Sequence, residues 1–277
     1  MARPKIQKYL DHADLLRCPV CADELFAAHD SLRCANGHTV SVSSKGFATM
    51  VPNVTPLKGY DEAFFASRQR VLSAGHYEPV LDELLKVLEA YGQPGPILDA
   101  GCGEGYYAHG IEQSGRTPVL GLDFSKDAVR IAARGANRSL WLVADLAHMP
   151  LRSGCVQTLI NVFTPANYRE FKRVMAPGAL LVKVVPAARH MEELRGRVRF
   201  LEASNTYSNE KIVSHFDEYF QRVETLRVTH TQAVAPDLRR DVARMSPVCF
   251  DADFGTLDLE GLNRITVDAQ ILVAYNR

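Results

Sequence analysis

The chain has 277 residues, 47% of them hydrophobic and 23% charged, ordinary values for a globular protein that buries one large domain and a small additional module. Lys+Arg and Asp+Glu both number 32, which excludes a global basic field, so any nucleic-acid binding must come from a local patch. No apolar run approaches membrane-spanning length and the first residues lack the apolar core of a signal peptide, so the expectation is a cytoplasmic protein with no membrane partner.

Six cysteines in a reducing compartment point toward metal rather than disulfides. Cys18-Pro-Val-Cys21 is followed, after twelve intervening residues, by Cys34-Ala-Asn-Gly-His38. Three thiolates and one imidazole form a donor set that tetrahedral Zn²⁺ prefers, and four protein ligands leave no open position, so such a site is structural. It would hold a segment too short to build its own core. The stretch from Leu32 to Ala35 and that from Thr39 to Ser43 read as a small antiparallel hairpin carrying the second ligand pair. Gly46 to Pro52 is expected to continue that module as a short extended segment. Cys155 and Cys249 read as buried apolar filler, and Cys102 is left open because it lies in a glycine-rich loop.

Asn53, Pro56 and Gly59 are breakers and mark a linker. A helix is expected over 61–73, then an interruption at Gly75-His-Tyr-Glu-Pro79. A second helix over 80–90 has one apolar face and is stopped by Gly92 and Pro94. From spacing alone, Tyr77 reads as a partly buried aromatic at a helix break.

Ile97-Leu-Asp-Ala-Gly-Cys-Gly-Glu-Gly-Tyr106 runs an apolar strand into an acid and then three glycines at alternate positions, Gly101, Gly103 and Gly105. Glycine at this spacing lets the backbone turn with no Cβ in the way, so a ligand can sit on main-chain N–H groups. The pattern differs from the dinucleotide fingerprint, whose third glycine comes three residues after the second. It is the first motif of Rossmann-like methyltransferases that bind S-adenosylmethionine, although a tight strand-to-helix turn without a ligand would show the same glycines.

Strands and helices then alternate, predicting a doubly wound, mostly parallel sheet. Asp123 ends the second strand (118–123), where an acid can accept both ribose hydroxyls, and Ser125 caps the helix over 126–134. Asp145 ends the third strand (140–145), where this fold commonly places an acceptor for the adenine amino group. Strand 156–163 delivers Asn161-Val-Phe-Thr-Pro165 to the edge where the methyl acceptor is presented, and Asn161 is the candidate for the target-base pocket. A helix over 167–175 and a strand over 179–185 follow. Arg195, Arg197 and Arg199 form a basic cluster that reads either as a solvated helix face or as a phosphate contact. Phe220 to Thr231 and Ile265 to Tyr275 alternate and would close the sheet as an antiparallel pair.

In this order the motifs resemble the RlmA family of 23S rRNA guanine-N1 methyltransferases over nearly the whole chain. They are the Cys/His set, Gly46-Phe47, Pro52, Ser67-Arg68, Leu72-Ser-Ala-Gly-His-Tyr77, the glycine loop through Tyr107, Pro165, and Pro186-x-x-Arg-His190-x-x-Glu-Leu194. The resemblance implies an α/β fold, a Rossmann-like class I methyltransferase domain at 95–277 preceded by a zinc-binding RNA-recognition module at 1–55 and a helical connector at 56–94. It implies zinc on Cys18, Cys21, Cys34 and His38, and S-adenosylmethionine contacts from Tyr77, Gly103, Glu104 and His190. The segment Asn161 to Asn167 is similar to the Gram-positive, tylosin-resistance type, implying one of two neighbouring guanines in a domain II hairpin near the macrolide region.

Two other classes remain open on the sequence. One is a small-molecule or protein methyltransferase that docks through the zinc module. The other is a catalytically silent RNA-binding protein, against which Gly101, Gly103, Glu104, Asp123 and Asp145 stand intact. Zero net charge leaves room for a homodimer that pools two modest patches.

Overall fold

The structure is a computed structural model and describes residues 4–51, 58–198 and 207–277. Pro52, Asn53, Pro56 and Arg199 lie outside the described residues.

The chain opens with α1 (Pro4–Asp11), which sequence reading missed, and then β1 (Phe26–Ala28), β2 (Ser31–Arg33) and β3 (Thr39–Ser41). These three strands form an antiparallel sheet in that order, with Leu32 opposite Val40, so the expected hairpin is present. The next strand, β4 (Phe47–Thr49), is extended as expected but belongs to a different sheet. It bridges back to the module through Val42 and Ala48, then pairs in parallel with residues 141–143, so it caps the edge of the large sheet.

Next come α2 (Glu62–Ser73), capped by Asp61 accepting from the Phe64 N–H at 2.8 Å, and α3 (Glu78–Tyr91), entered through Pro79. The large domain runs β5 (Ile97–Ala100), α4 (Tyr106–Gln113), β6 (Val119–Asp123), α5 (Lys126–Ala132), β7 (Leu140–Val143), β8 (Val156–Val162), α6 (Tyr168–Val174) and β9 (Met175–Pro186). It is completed by α7 (Glu192–Arg195), α8 (Glu210–Tyr219), β10 (Arg222–Ala233), α9 (Arg239–Arg244) and β11 (Arg264–Tyr275). The order across the eight-stranded sheet is β10-β11-β9-β8-β5-β6-β7-β4. Pairing is parallel from β9 to β4 and antiparallel at β10–β11 and β11–β9, which bears out the doubly wound reading and its closing pair.

β5, β6 and β7 are buried along nearly their whole length because helices or the N-terminal segment cover both faces. One apolar cluster gathers Phe64, Val80, Leu84, Ile111 and Trp141 on one face. A second joins Leu98, Leu120 and Leu142 to Tyr9, Leu16, Leu32 and Val40. The small module therefore shares a core with the sheet. Tyr9 fixes this join: its hydroxyl accepts from the Trp141 N–H at 2.9 Å and reaches the carbonyl of Gly46 at 3.0 Å.

Candidate active site and metal centre

The ligand atoms of Cys18, Cys21, Cys34 and His38 all lie within 4.8 Å of one another. Two turns bring them there: the Ala22 N–H donates to Cys18 O at 2.9 Å, and the Gly37 N–H to Cys34 O at 3.0 Å, with Gly37 at φ 85°. Cys21 and Cys34 Sγ are 3.7 Å apart, close to the roughly 3.8 Å edge of a tetrahedron built on a 2.3 Å Zn–S bond. Cys34 Sγ and His38 Nδ1 are 3.3 Å apart, so the imidazole faces the cluster through Nδ1.

Gly101, Gly103 and Gly105 all adopt left-handed backbone, with φ of 85°, 54° and 87°. Two of them are also sterically obligatory. A Cβ on Gly101 would meet Thr164 Cγ2 at 2.2 Å, and one on Gly105 would meet Trp141 at 2.8 Å. Gly103 is the open one, with Arg68 Nε at 3.7 Å, so a ligand can approach its backbone. Its N–H donates to Asp123 Oδ2 at 2.9 Å, and the Ser125 N–H donates to Oδ1 at 2.8 Å. Asp123 therefore stands at the end of β6, locked against the loop. The Cys102 side chain is buried and would crowd any Cβ on Gly121 at 3.1 Å, so it fills space behind the turn.

Three acids crowd one cation here. Glu104 is 2% exposed at its side chain and takes the Arg68 Nε–H at 2.9 Å, while its Oε1 is buried without a partner among the described residues. Asp99 is buried, and its Oδ2 is likewise unpartnered. Burial first, then Asp123 and Glu104, push Asp99 up to about 8. Sequence reasoning gives neither Asp99 nor Arg68 a role in the site, although Arg68 stands in the Ser67-Arg68 motif of the family resemblance. Asp99 was read only as the acid heading the motif, and Arg68 lies thirty-six positions from its partner on a helix whose spacing gives no hint of the contact.

Tyr77 is buried and meets Phe163 edge-on at 5.8 Å and His190 at 6.1 Å, while Phe163 stacks on His190 at 5.1 Å. These residues, far apart in sequence, form one aromatic wall. The Asp268 N–H donates to His190 Nδ1 at 3.4 Å, which leaves the ring proton on Nε2. Burial pulls His190 down to about 4, so the ring is neutral.

Asp145 does follow β7, but its carboxylate takes the Ala147 N–H at 2.8 Å and is 45% exposed at its side chain. Asn161 is fully buried: its Nδ2 donates to Ala100 O at 2.6 Å and to Pro165 O at 3.4 Å, and its Oδ1 accepts from Lys183. All the polar side-chain atoms of Asn161 are thus engaged within the protein. Of the basic cluster, Arg195 lies over the Tyr207 ring at 5.6 Å and the Nε atoms of Arg195 and Arg197 are buried, so these two are not freely solvated.

Residues 97–178 match a family model described as a methyltransferase domain. The chain is 31% identical to the 23S rRNA (guanine(748)-N(1))-methyltransferase of Streptomyces fradiae, over 93% of this chain and 95% of that protein. It is 29% identical, over 94% and 96%, to a Bacillus subtilis (strain 168) protein provisionally named a 23S rRNA (guanine-N(1)-)-methyltransferase. A solved structure concerned with converting a disulfide bond into a thioacetal group during echinomycin biosynthesis has a TM-score of 0.51 at 21% identity, covering 71% of this chain and 80% of that one, a likeness of fold. A glycine loop held by Asp123, four convergent Cys and His ligands, and identity running through both place the chain in the family of 23S rRNA (guanine-N1)-methyltransferases.

Proposed function

We propose that this protein transfers the methyl group of S-adenosylmethionine to N1 of a guanine in a domain II hairpin of 23S rRNA, in the cytoplasm, with a structural zinc ion holding the module that grips the RNA. The observation that carries this reading is the full-length relation to the Streptomyces fradiae enzyme, named for guanine 748. The site's own chemistry fits the cofactor. Glu104 Oε1 is a buried acceptor with no partner among the described residues, suited to a cationic ligand, and the space over Gly103 is open.

When bound, S-adenosylmethionine supplies an electrophilic sulfonium methyl, so the protein's task is to align the acceptor and exclude water. Asp123, with one N–H on each oxygen, keeps lone pairs for the ribose hydroxyls. Arg68 and Glu104 present opposite charges beside the loop for the amino-acid end. Asp145 is the acceptor for the adenine amino group. Tyr77 and neutral His190 close the other side, His190 offering its Nε2–H as a donor. Guanine N1 carries a proton and its lone pair is tied into the ring amide, so losing that proton, or stabilising charge on O6, belongs to catalysis. The base leaves its stack to reach the segment 163–165, which Asn161 holds from behind. Two copies of the chain would pool modest basic patches on the RNA.

Mapping methylated nucleotides by mass in 23S rRNA from cells with and without the protein tests this. Loss of a single N1-methylguanosine from domain II is the expected result. An unchanged methylation map sinks the proposal.

A further inference from the structure

Lys183 is a buried cation that the proposed reaction leaves unused. It lies near the end of β9, in register with Asn161 on β8. It is 2% exposed, and burial pulls it down to about 7, with no acid among the described residues to offset it. A buried ammonium is costly unless its donors are satisfied, and a methionine would fill the same volume at no such cost. The ammonium donates to Asn161 Oδ1 and to the Thr164 carbonyl.

Those two acceptors bracket Phe163, whose φ of 52° puts a bulky residue in left-handed backbone. Such strain persists only where surrounding contacts over-determine it. Here Asn161 ties the segment to Ala100 and Pro165, the Phe163 N–H donates to Val184 O at 3.0 Å, and Lys183 grips the next carbonyl. The turn has two consequences for the site. It stacks Phe163 on His190, and it seats the Thr164 side chain in the space where Gly101 lacks a Cβ.

We infer that Lys183 is a positioning residue for methyl transfer: its ammonium locks residues 161–165 in the left-handed turn that aims Phe163 at His190 and seats Thr164 on the glycine loop. This rests on the reading of 163–165 as the acceptor side of the site.

Lys183→Met tests it on the full-length protein, with single-turnover methylation of 23S rRNA, calorimetric titration with S-adenosylmethionine, and hydrogen exchange read by mass. Methylation is expected to fall about 100-fold through misplacement of the acceptor. Cofactor affinity should fall by less than about tenfold, because the loop loses only its Thr164 packing while Asp123 keeps both of its N–H partners. Exchange should quicken in 161–167 but not in β5 or β6. An unchanged rate overturns the inference. So does a loss of rate and cofactor binding together with a falling melting temperature, which marks Lys183 as part of the core only. If the unaltered protein methylates no 23S rRNA, the proposed function falls, and the exchange comparison still decides whether Lys183 locks the turn.

Discussion

Asp99 illustrates how much a single side chain costs the cofactor-free protein. Folded, it holds its proton up to about 8, against an ordinary value of 3.8. The native state therefore binds the extra proton, and the stability it contributes is full below the unfolded value and lost as pH rises through the folded one. Asp99→Asn should flatten the fall in melting temperature of the cofactor-free protein between about pH 4 and about pH 8. Superimposable pH–melting curves for the two proteins would refute this. Gly101→Ala acts through space and backbone at once, since its Cβ would lie 2.2 Å from Thr164 Cγ2 at a φ of 85°. Strain of about 1–3 kcal/mol predicts a loss of S-adenosylmethionine affinity of about 10-fold or more by calorimetry, and wild-type affinity would show that the loop tolerates a methyl group.

Among the elements, β1, β2 and β3 are three residues each, too short to hold together on backbone pairing alone. The Cys18, Cys21, Cys34 and His38 cluster beside them would supply the missing stabilisation if it holds zinc as proposed. Cys34→Ser is expected to reduce bound zinc from about one equivalent to near zero and to speed hydrogen exchange across residues 18–41. Full zinc content by plasma mass spectrometry would remove Cys34 from the ligand set. β4 is equally short but sits differently, because its whole length pairs with β7 and the Met50 N–H donates to Val143 O at 2.8 Å. It covers an edge that would otherwise present unpaired backbone groups.

For the whole molecule, this makes the N-terminal segment a structural part of the large domain. Residues 60–277 alone would lose β4, the Tyr9 hydroxyl that satisfies the Trp141 N–H, and the module side of the second apolar cluster. That fragment should aggregate or melt well below the full chain, by about 1–3 kcal/mol from the Trp141 N–H alone. A monomeric fragment with the full chain's melting temperature would show that the two parts fold independently. The site spans the same long reach: Arg68 on α2 meets the loop after β5, and Tyr77 before α3 meets Phe163 after β8 and His190 after β9.

The sequence by itself determined the Cys and His cluster, the glycine loop, the acids at the ends of β6 and β7, and the alternation that makes a doubly wound sheet. Each is a local pattern: ligand spacing, a turn that only glycine fits, or a strand with a polar terminus. Tertiary structure alone decided which sheet residues 47–49 join, because an extended segment carries no mark of its partner. It also decided that Asn161 faces inward, that Arg68 answers Glu104, and that the buried Lys183 stands behind the turn at Phe163. Those depend on which strand lies beside which, and β8 and β9 reach register only after α6 has crossed the sheet.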